Sequence, residues 1–203
     1  DKMDGYEKLQ SCAKRAVVSR SVTYQDYPCK GVAFSDLSPL FLSIEDMDAL
    51  LNYWQYRFQD VNLVVGLEAR GFILGTAMSQ RLKLPFVMLR KKGKLPGETL
   101  SESFTKEYGK DEFEVQKDIL SHLPQHLRPS ASHCFHVLIM DDVLATGGTL
   151  CASIELVRKL LHHNNITNFK ISTSIISAIK CLKGKQNIYE KYNDVSIDVI
   201  NDV

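Results

Sequence analysis

What the chain lacks narrows it first. No apolar run approaches the length needed to cross a membrane, and no secretory apolar region opens the chain. Neither charge dominates: 25 Lys and Arg stand against 24 Asp and Glu in 203 residues, a formal net charge of +1. That balance gives no electrostatic case for nucleic acid or a membrane surface as a bulk partner. The five cysteines, Cys12, Cys29, Cys134, Cys151 and Cys181, are scattered and never form a C-x-x-C pair. Free thiols in a reducing cytosol, and hence a cytoplasmic protein, are the economical reading. Among six histidines, His122 and His126 fall at helical spacing and His162 adjoins His163. No nearby Glu or Cys completes a zinc set, so these read as solvated surface side chains. The glycine signatures of a P-loop and of G-x-G-x-x-G are also missing.

What is present is enough apolar residue, 44% of the chain, for one α/β domain with a sizeable core. Leu9, Cys12, Ala13, Ala16 and Val17 share one face of a first helix over residues 4–19. Residues 26–41, punctuated by Pro28, Gly31 and Pro39, read as loop and short strand. Ser43 with Asp46 resembles a capping box ahead of an amphipathic helix carrying Ile44, Met47, Leu50, Leu51, Trp54 and Phe58. Strand and helix then alternate: a buried strand at 61–67, a helix at 72–82, and a strand at 85–89. Residues 90–113 are polar and charged without a clear period, which suggests a lid. A strand at 170–179 follows the central motif below, Cys181–Lys185 turns the chain, and 195–200 alternates like an edge strand.

The stretch with most chemistry is Val137–Leu150, VLIMDDVLATGGTL. Val137 to Met140 suit a strand buried on both faces, which is expected to stop at Asp141 and Asp142. Ala145, Thr146, Gly147, Gly148 and Thr149 form a tight turn, and Ile154, Val157 and Leu161 continue as a helix. A loop at the carboxyl end of a strand is where open α/β sheets bind ligands. The glycines admit an anion close to the backbone, the threonines add hydroxyls, and the helix offers its positive end. Two acids beside such a cradle would repel a bare phosphate. They suit a sugar phosphate, whose ring hydroxyls the carboxylates can accept from. The bland alternative, a buried strand and a glycine turn, does not account for the whole ordered string.

That string resembles the phosphoribosyl pyrophosphate motif of the type I phosphoribosyltransferases. Five ordered blocks, YPCKGVAFSDLSPLF, VVGLEARGFILG, LRKKGKLPGET, KEYGKDEFEVQKD and VLIMDDVLATGGT, extend the likeness from about residue 26 to 185, to the adenine phosphoribosyltransferases within that family. The resemblance implies a type I phosphoribosyltransferase fold: a central, mostly parallel twisted sheet flanked by helices, in one domain over 1–203. A small hood from about 1–41 and a long mobile loop at about 91–113 belong to that expectation. It also implies purine-salvage transfer of phosphoribose from phosphoribosyl pyrophosphate to adenine, giving AMP and pyrophosphate, with magnesium (Mg2+) held mainly through the donor and water rather than by direct protein ligands. A homodimer is implied too.

Residue by residue, the resemblance assigns the ribose and its phosphate to Asp141, Asp142, Ala145, Thr146, Gly147, Gly148 and Thr149. Pyrophosphate falls to Glu68, Ala69 and Arg70, with a non-proline cis peptide as a family feature, and to Arg90, Lys91 and Lys94. The base falls to Ala33, Phe34, Ser35 and Ile179. Glu107, paired with Tyr108, is assigned the proton shuttle, and Arg70 stabilises the leaving group. Three positions depart from the pattern: Ser35 stands for an expected Arg, Ala178 for an acid, and Lys185 for an Arg. The first two leave open a different purine base, or a donor-binding paralogue or regulator without efficient turnover.

Overall fold

Apolar strands that need burial on both faces dictate the architecture of this computed structural model, which describes residues 2–27, 30–31, 33–106, 109–130 and 132–203. The chain divides into two compact units, Asp1–Gln59 and Asp60–Val203.

In the first unit, helix α1 (Lys2–Arg20) packs against α2 (Ile44–Arg57). Ala13, Ala16 and Val17 are buried on the stripe expected of α1. The Tyr6 and Tyr53 hydroxyls lie 3.3 Å apart, and Arg20 donates to Asp46 at 2.5 Å. Ser43 caps α2 as its pattern suggests, its side chain accepting from the Asp46 amide at 3.3 Å. Leu50, Tyr53 and Trp54 are buried, but Ile44 is 83% exposed, because at the first helical position it falls outside the buried stripe. A hairpin of β1 (Val22–Gln25) and β2 (Ala33–Asp36) lies between the helices in sequence. The hood boundary expected near residue 41 therefore falls within this unit, which continues through α2.

The second unit holds a sheet of seven described strands in the order β5-β6-β4-β3-β7-β8-β9. These are β3 (Leu63–Leu67), β4 (Phe86–Lys91), β5 (Thr99–Lys106), β6 (Gly109–Gln116), β7 (Phe135–Leu144), β8 (Phe169–Ala178) and β9 (Val195–Asp202). Pairings among β4, β3, β7, β8 and β9 are parallel, and β6 adds antiparallel to β4 with β5 beyond it. β3 is buried at every residue and β7 through its first six, as parallel strands between helices must be. Helix α3 (Arg70–Leu82) packs on β3, β4 and β7. Helix α4 (Gly148–His163) buries Ile154, Val157 and Leu161 in one core cluster with Leu63, Val65, Val137 and Ile139. Each such side chain contributes about 1.5–3 kcal/mol relative to exposure.

Two expectations need correction. The segment at 90–113, expected to lack a period, includes strand β5 at 99–106 and runs into β6 at 109–116, and the Phe104 and Phe113 rings of this pair pack with centroids 5.1 Å apart. On β5 the charged Glu102 falls between Leu100 and Phe104 on one side of the strand, which interrupts the apolar period of two. β7 does not stop at its acids: Val143 pairs with Ser177 and Leu144 with Ala178, so strand pairing carries Asp141 and Asp142. Beyond Cys181–Lys185 the chain forms helix α5 (Gly184–Lys191), too short and polar to show a period.

Candidate active site

The turn after β7 is built by close approach. Gly147 has φ +95°, a left-handed conformation that costs other L-residues about 1–2 kcal/mol. A Cβ there would come within 3.0 Å of the Gly184 carbonyl and 3.1 Å of Ile188. Asp141, Ala145, Thr146, Gly147, Gly148 and Thr149 line one pocket of about 80 Å³. Six of the seven residues assigned to the ribose and its phosphate thus share one wall. The first intrahelical bond of α4 runs from the Cys151 amide to the Gly147 carbonyl at 2.9 Å, and the amides ahead of it lie in the turn, where a helix start leaves donors for a ligand.

The two acids differ. Asp142 is buried, and its Oδ2 lies 2.6 Å from Arg70 Nε at the start of α3. Asp141 Oδ1 accepts from the Asp142 amide at 2.9 Å. Burial, and then the neighbouring Asp142 charge, push the Asp141 carboxyl well above the usual carboxylate range. Arg70 reaches Asp142 because α3 starts close to β7: a Cβ on Gly71 would lie 2.5 Å from the Met140 carbonyl oxygen.

A second cluster forms where β3 leads into α3. The Glu68–Ala69 peptide is cis, as the resemblance implies. Glu68 accepts from Lys94 Nζ at 2.8 Å and from the Lys91 amide at 2.9 Å, with Arg90 Nε at 3.6 Å. Burial would raise the Glu68 carboxyl, but the Lys94 and Lys91 hydrogen bonds and the nearby positive charges outweigh it and hold the carboxyl low. Two cations, Arg90 and Lys94, thus stand around one carboxylate and leave an excess of positive charge, while the Lys91 ammonium lies 3.4 Å from Asp111. Arg70 belongs instead to the Asp142 pair. Glu114, unremarked in the sequence, is buried on β6 and accepts from the Lys94 and Leu95 amides at 2.9 and 2.8 Å.

Ala33, Phe34 and Ser35 form β2 in the first unit, where the Tyr27 ring meets Phe34 edge-on at 5.1 Å. Ile179 follows β8 in the second unit, its amide donating to the Leu144 carbonyl at 2.9 Å. Glu107 and Tyr108 lie outside the described residues. Sequence reading missed Gly184 and Asn187 of α5, which stand against the 145–149 loop. Gly184 looked like an ordinary turn glycine, and a lone Asn carries no local signal. Among the described residues no group of three or more His, Cys, Asp or Glu side chains is arranged to hold a metal ion.

The phosphoribosyl transferase domain family matches residues 48–202, a span that contains this strand, turn and helix. The chain belongs to that family, and within it to the adenine phosphoribosyltransferases. It is 58% identical over 195 residues to the "Probable adenine phosphoribosyltransferase" of Dictyostelium discoideum, covering 96% of each chain. The adenine phosphoribosyltransferase of Mycoplasma mobile is 39% identical over 81% of this chain and 86% of its own. Among solved structures, the Giardia lamblia enzyme complexed with 9-deazaadenine matches with a TM-score of 0.76 at 34% identity, over 94% of this chain and 97% of that one. The Saccharomyces cerevisiae enzyme, complexed with an imino-altritol bisphosphate and adenine, matches with a TM-score of 0.76 at 28% identity, over 94% and 99%.

Proposed function

We propose that this enzyme transfers phosphoribose from phosphoribosyl pyrophosphate to adenine, and that the pocket after β7 holds the donor. The single observation that carries the donor site is the shared wall of Asp141 and the 145–149 turn, with backbone amides at a helix start. In the reaction, the bond from the anomeric carbon to the pyrophosphate oxygen breaks, and a bond to an imidazole nitrogen of adenine forms. That nitrogen loses a proton. Positive charge builds on the ribose and negative charge on the departing oxygens.

The roles follow from charge. The turn amides and threonine hydroxyls hold the 5-phosphate, and Asp141 with Asp142 accepts from ring hydroxyls. Arg70 sits against Asp142, so binding and leaving-group stabilisation are linked through one ion pair. Arg90, Lys91 and Lys94 offset the charge of the departing pyrophosphate, with Glu68 holding the Arg90 and Lys94 side chains and the Lys91 backbone in place. Phe34, with main-chain groups of Ala33 and Ser35, selects the purine, and Ile179 adds an apolar contact. Glu107, beside Tyr108, takes up the proton from the base. The donor's own phosphates and waters suit Mg2+, which keeps much of its water shell and needs no protein cage; bound there, it supplies positive charge to the pyrophosphate. Free thiols at Cys12, Cys134, Cys151 and Cys181 support a cytoplasmic protein, and the homodimer rests on the family resemblance alone.

Incubation with donor and each purine base in turn, read as pyrophosphate release, tests this directly. Adenine should give AMP. Release with hypoxanthine or guanine in place of adenine would overturn the base assignment, and no release with any base would leave a donor-binding protein without turnover.

A further inference from the structure

Helix α5 stands directly behind the 145–149 turn, and three independent contacts hold it there. A Cβ on Gly184 would lie 2.3 Å from the Ala145 carbonyl oxygen, so only glycine allows this approach. Asn187 Nδ2 donates to the Thr146 carbonyl at 2.8 Å. Lys185 Nζ pairs with the Asp202 carboxylate at 2.6 Å, anchoring α5 to the end of β9.

We propose that Asn187 is a positioning residue for the phosphate cradle, holding the Thr146–Gly147 peptide so that its amide serves the ligand. A trans peptide is planar, and its C=O and N–H point to opposite sides. Glu68–Ala69 is the cis bond among the described residues, so the Thr146–Gly147 peptide is trans. With the Thr146 oxygen drawn toward α5, the Gly147 N–H is turned the other way, toward the side of the pocket that both residues line. The restraint is needed because glycine opposes peptide rotation less than any other residue. A rotated peptide would aim a carbonyl oxygen at the phosphate, replacing a donor with an acceptor. Lys185 and Gly184 fix the helix, and Asn187 fixes the peptide.

The inference rests on the reading of the turn as a phosphate cradle, and one set of measurements separates the two. Asn187 is exposed while its neighbour Ile188 is fully buried, so N187A trims a surface amide and leaves the core intact. The full chain as wild type, N187A and N187Q is titrated calorimetrically with ribose 5-phosphate and with phosphoribosyl pyrophosphate. Steady-state constants for both substrates and the ligand-free melting midpoint are measured alongside. Loss of one neutral hydrogen bond predicts that N187A weakens both phosphate esters about five- to tenfold. The KM for the donor should rise to match, while the KM for adenine and the ligand-free midpoint stay at wild-type values. N187Q, which keeps the donor on a longer arm, should recover part of the affinity. Affinity in N187A within twofold of a binding-competent wild type overturns the positioning role alone. An equal rise in the KM for adenine, or a lowered ligand-free midpoint, overturns it in favour of a purely structural role. If the wild type binds neither ester, the cradle reading falls and this inference with it.

Discussion

Asp142 and Gly147 illustrate how single residues here answer to two constraints at once. Asp142 is buried against Arg70 and adjoins Asp141 of the pocket wall, so D142A strands a cation and, on the proposed donor reading, removes a ribose contact as well. A buried charge left unpaired costs about 3–5 kcal/mol; with Arg70 partly exposed, the loss here should be smaller, read as weaker donor binding and a lower melting midpoint. Gly147 combines a positive φ with a 3.0 Å approach to Gly184. G147A should lose about 1–2 kcal/mol by chemical denaturation and weaken ribose 5-phosphate in the same titration. Glu107 is a different case, since its role is carried by resemblance alone. E107A should lower kcat with little change in donor affinity, and full turnover would remove it from the proton path.

At the scale of elements, the β5–β6 pair changes how the charged segment acts. It is registered strand to strand over its length, and Lys159 of α4 donates to the Ser101 carbonyl at 3.0 Å and pairs with Glu102 at 2.6 Å. Any opening of this pair must therefore release its α4 contacts, with the Phe104–Phe113 contact holding the two strands together. F104A should destabilise this pair by about 3 kcal/mol. Amide exchange across residues 99–116 would then speed up, while β3 and β7 keep their protection.

For the molecule as a whole, the amino ends of β7 and β8 carry a buried polar group that the chemistry does not use. His136 Nδ1 lies 3.1 Å from Asp60, its Nε2 lies 2.8 Å from Ser172, and Lys170 also pairs with Asp60. Burial lowers the His136 pKa, outweighing the attraction of Asp60. The unfolded chain therefore takes up a proton, at about pH 6.5, that the folded chain resists. This group's contribution to stability is whole above that pH and is lost as pH falls through it. Urea midpoints at pH 8 and pH 5.5 should drop further for the wild type than for H136Q; equal drops would remove His136 as the cause.

By itself the sequence determined the alternating strands and helices, the α2 cap at Ser43, and the VLIMDDVLATGGTL turn. Each depends on residues adjacent in the chain or one helical turn apart. It was silent on Glu114, Gly184 and Asn187, and it misjudged the ends of β7 and the order of β5 and β6. Those were decided by partners far away in sequence: Ser177 and Ala178 extend β7, and Phe113 gives Phe104 its place. Asn187 meets Thr146 across 41 residues. Hydrogen bonds and close backbone approaches of that kind have no local period to reveal them, so only the folded chain could show which side chains support the 145–149 turn.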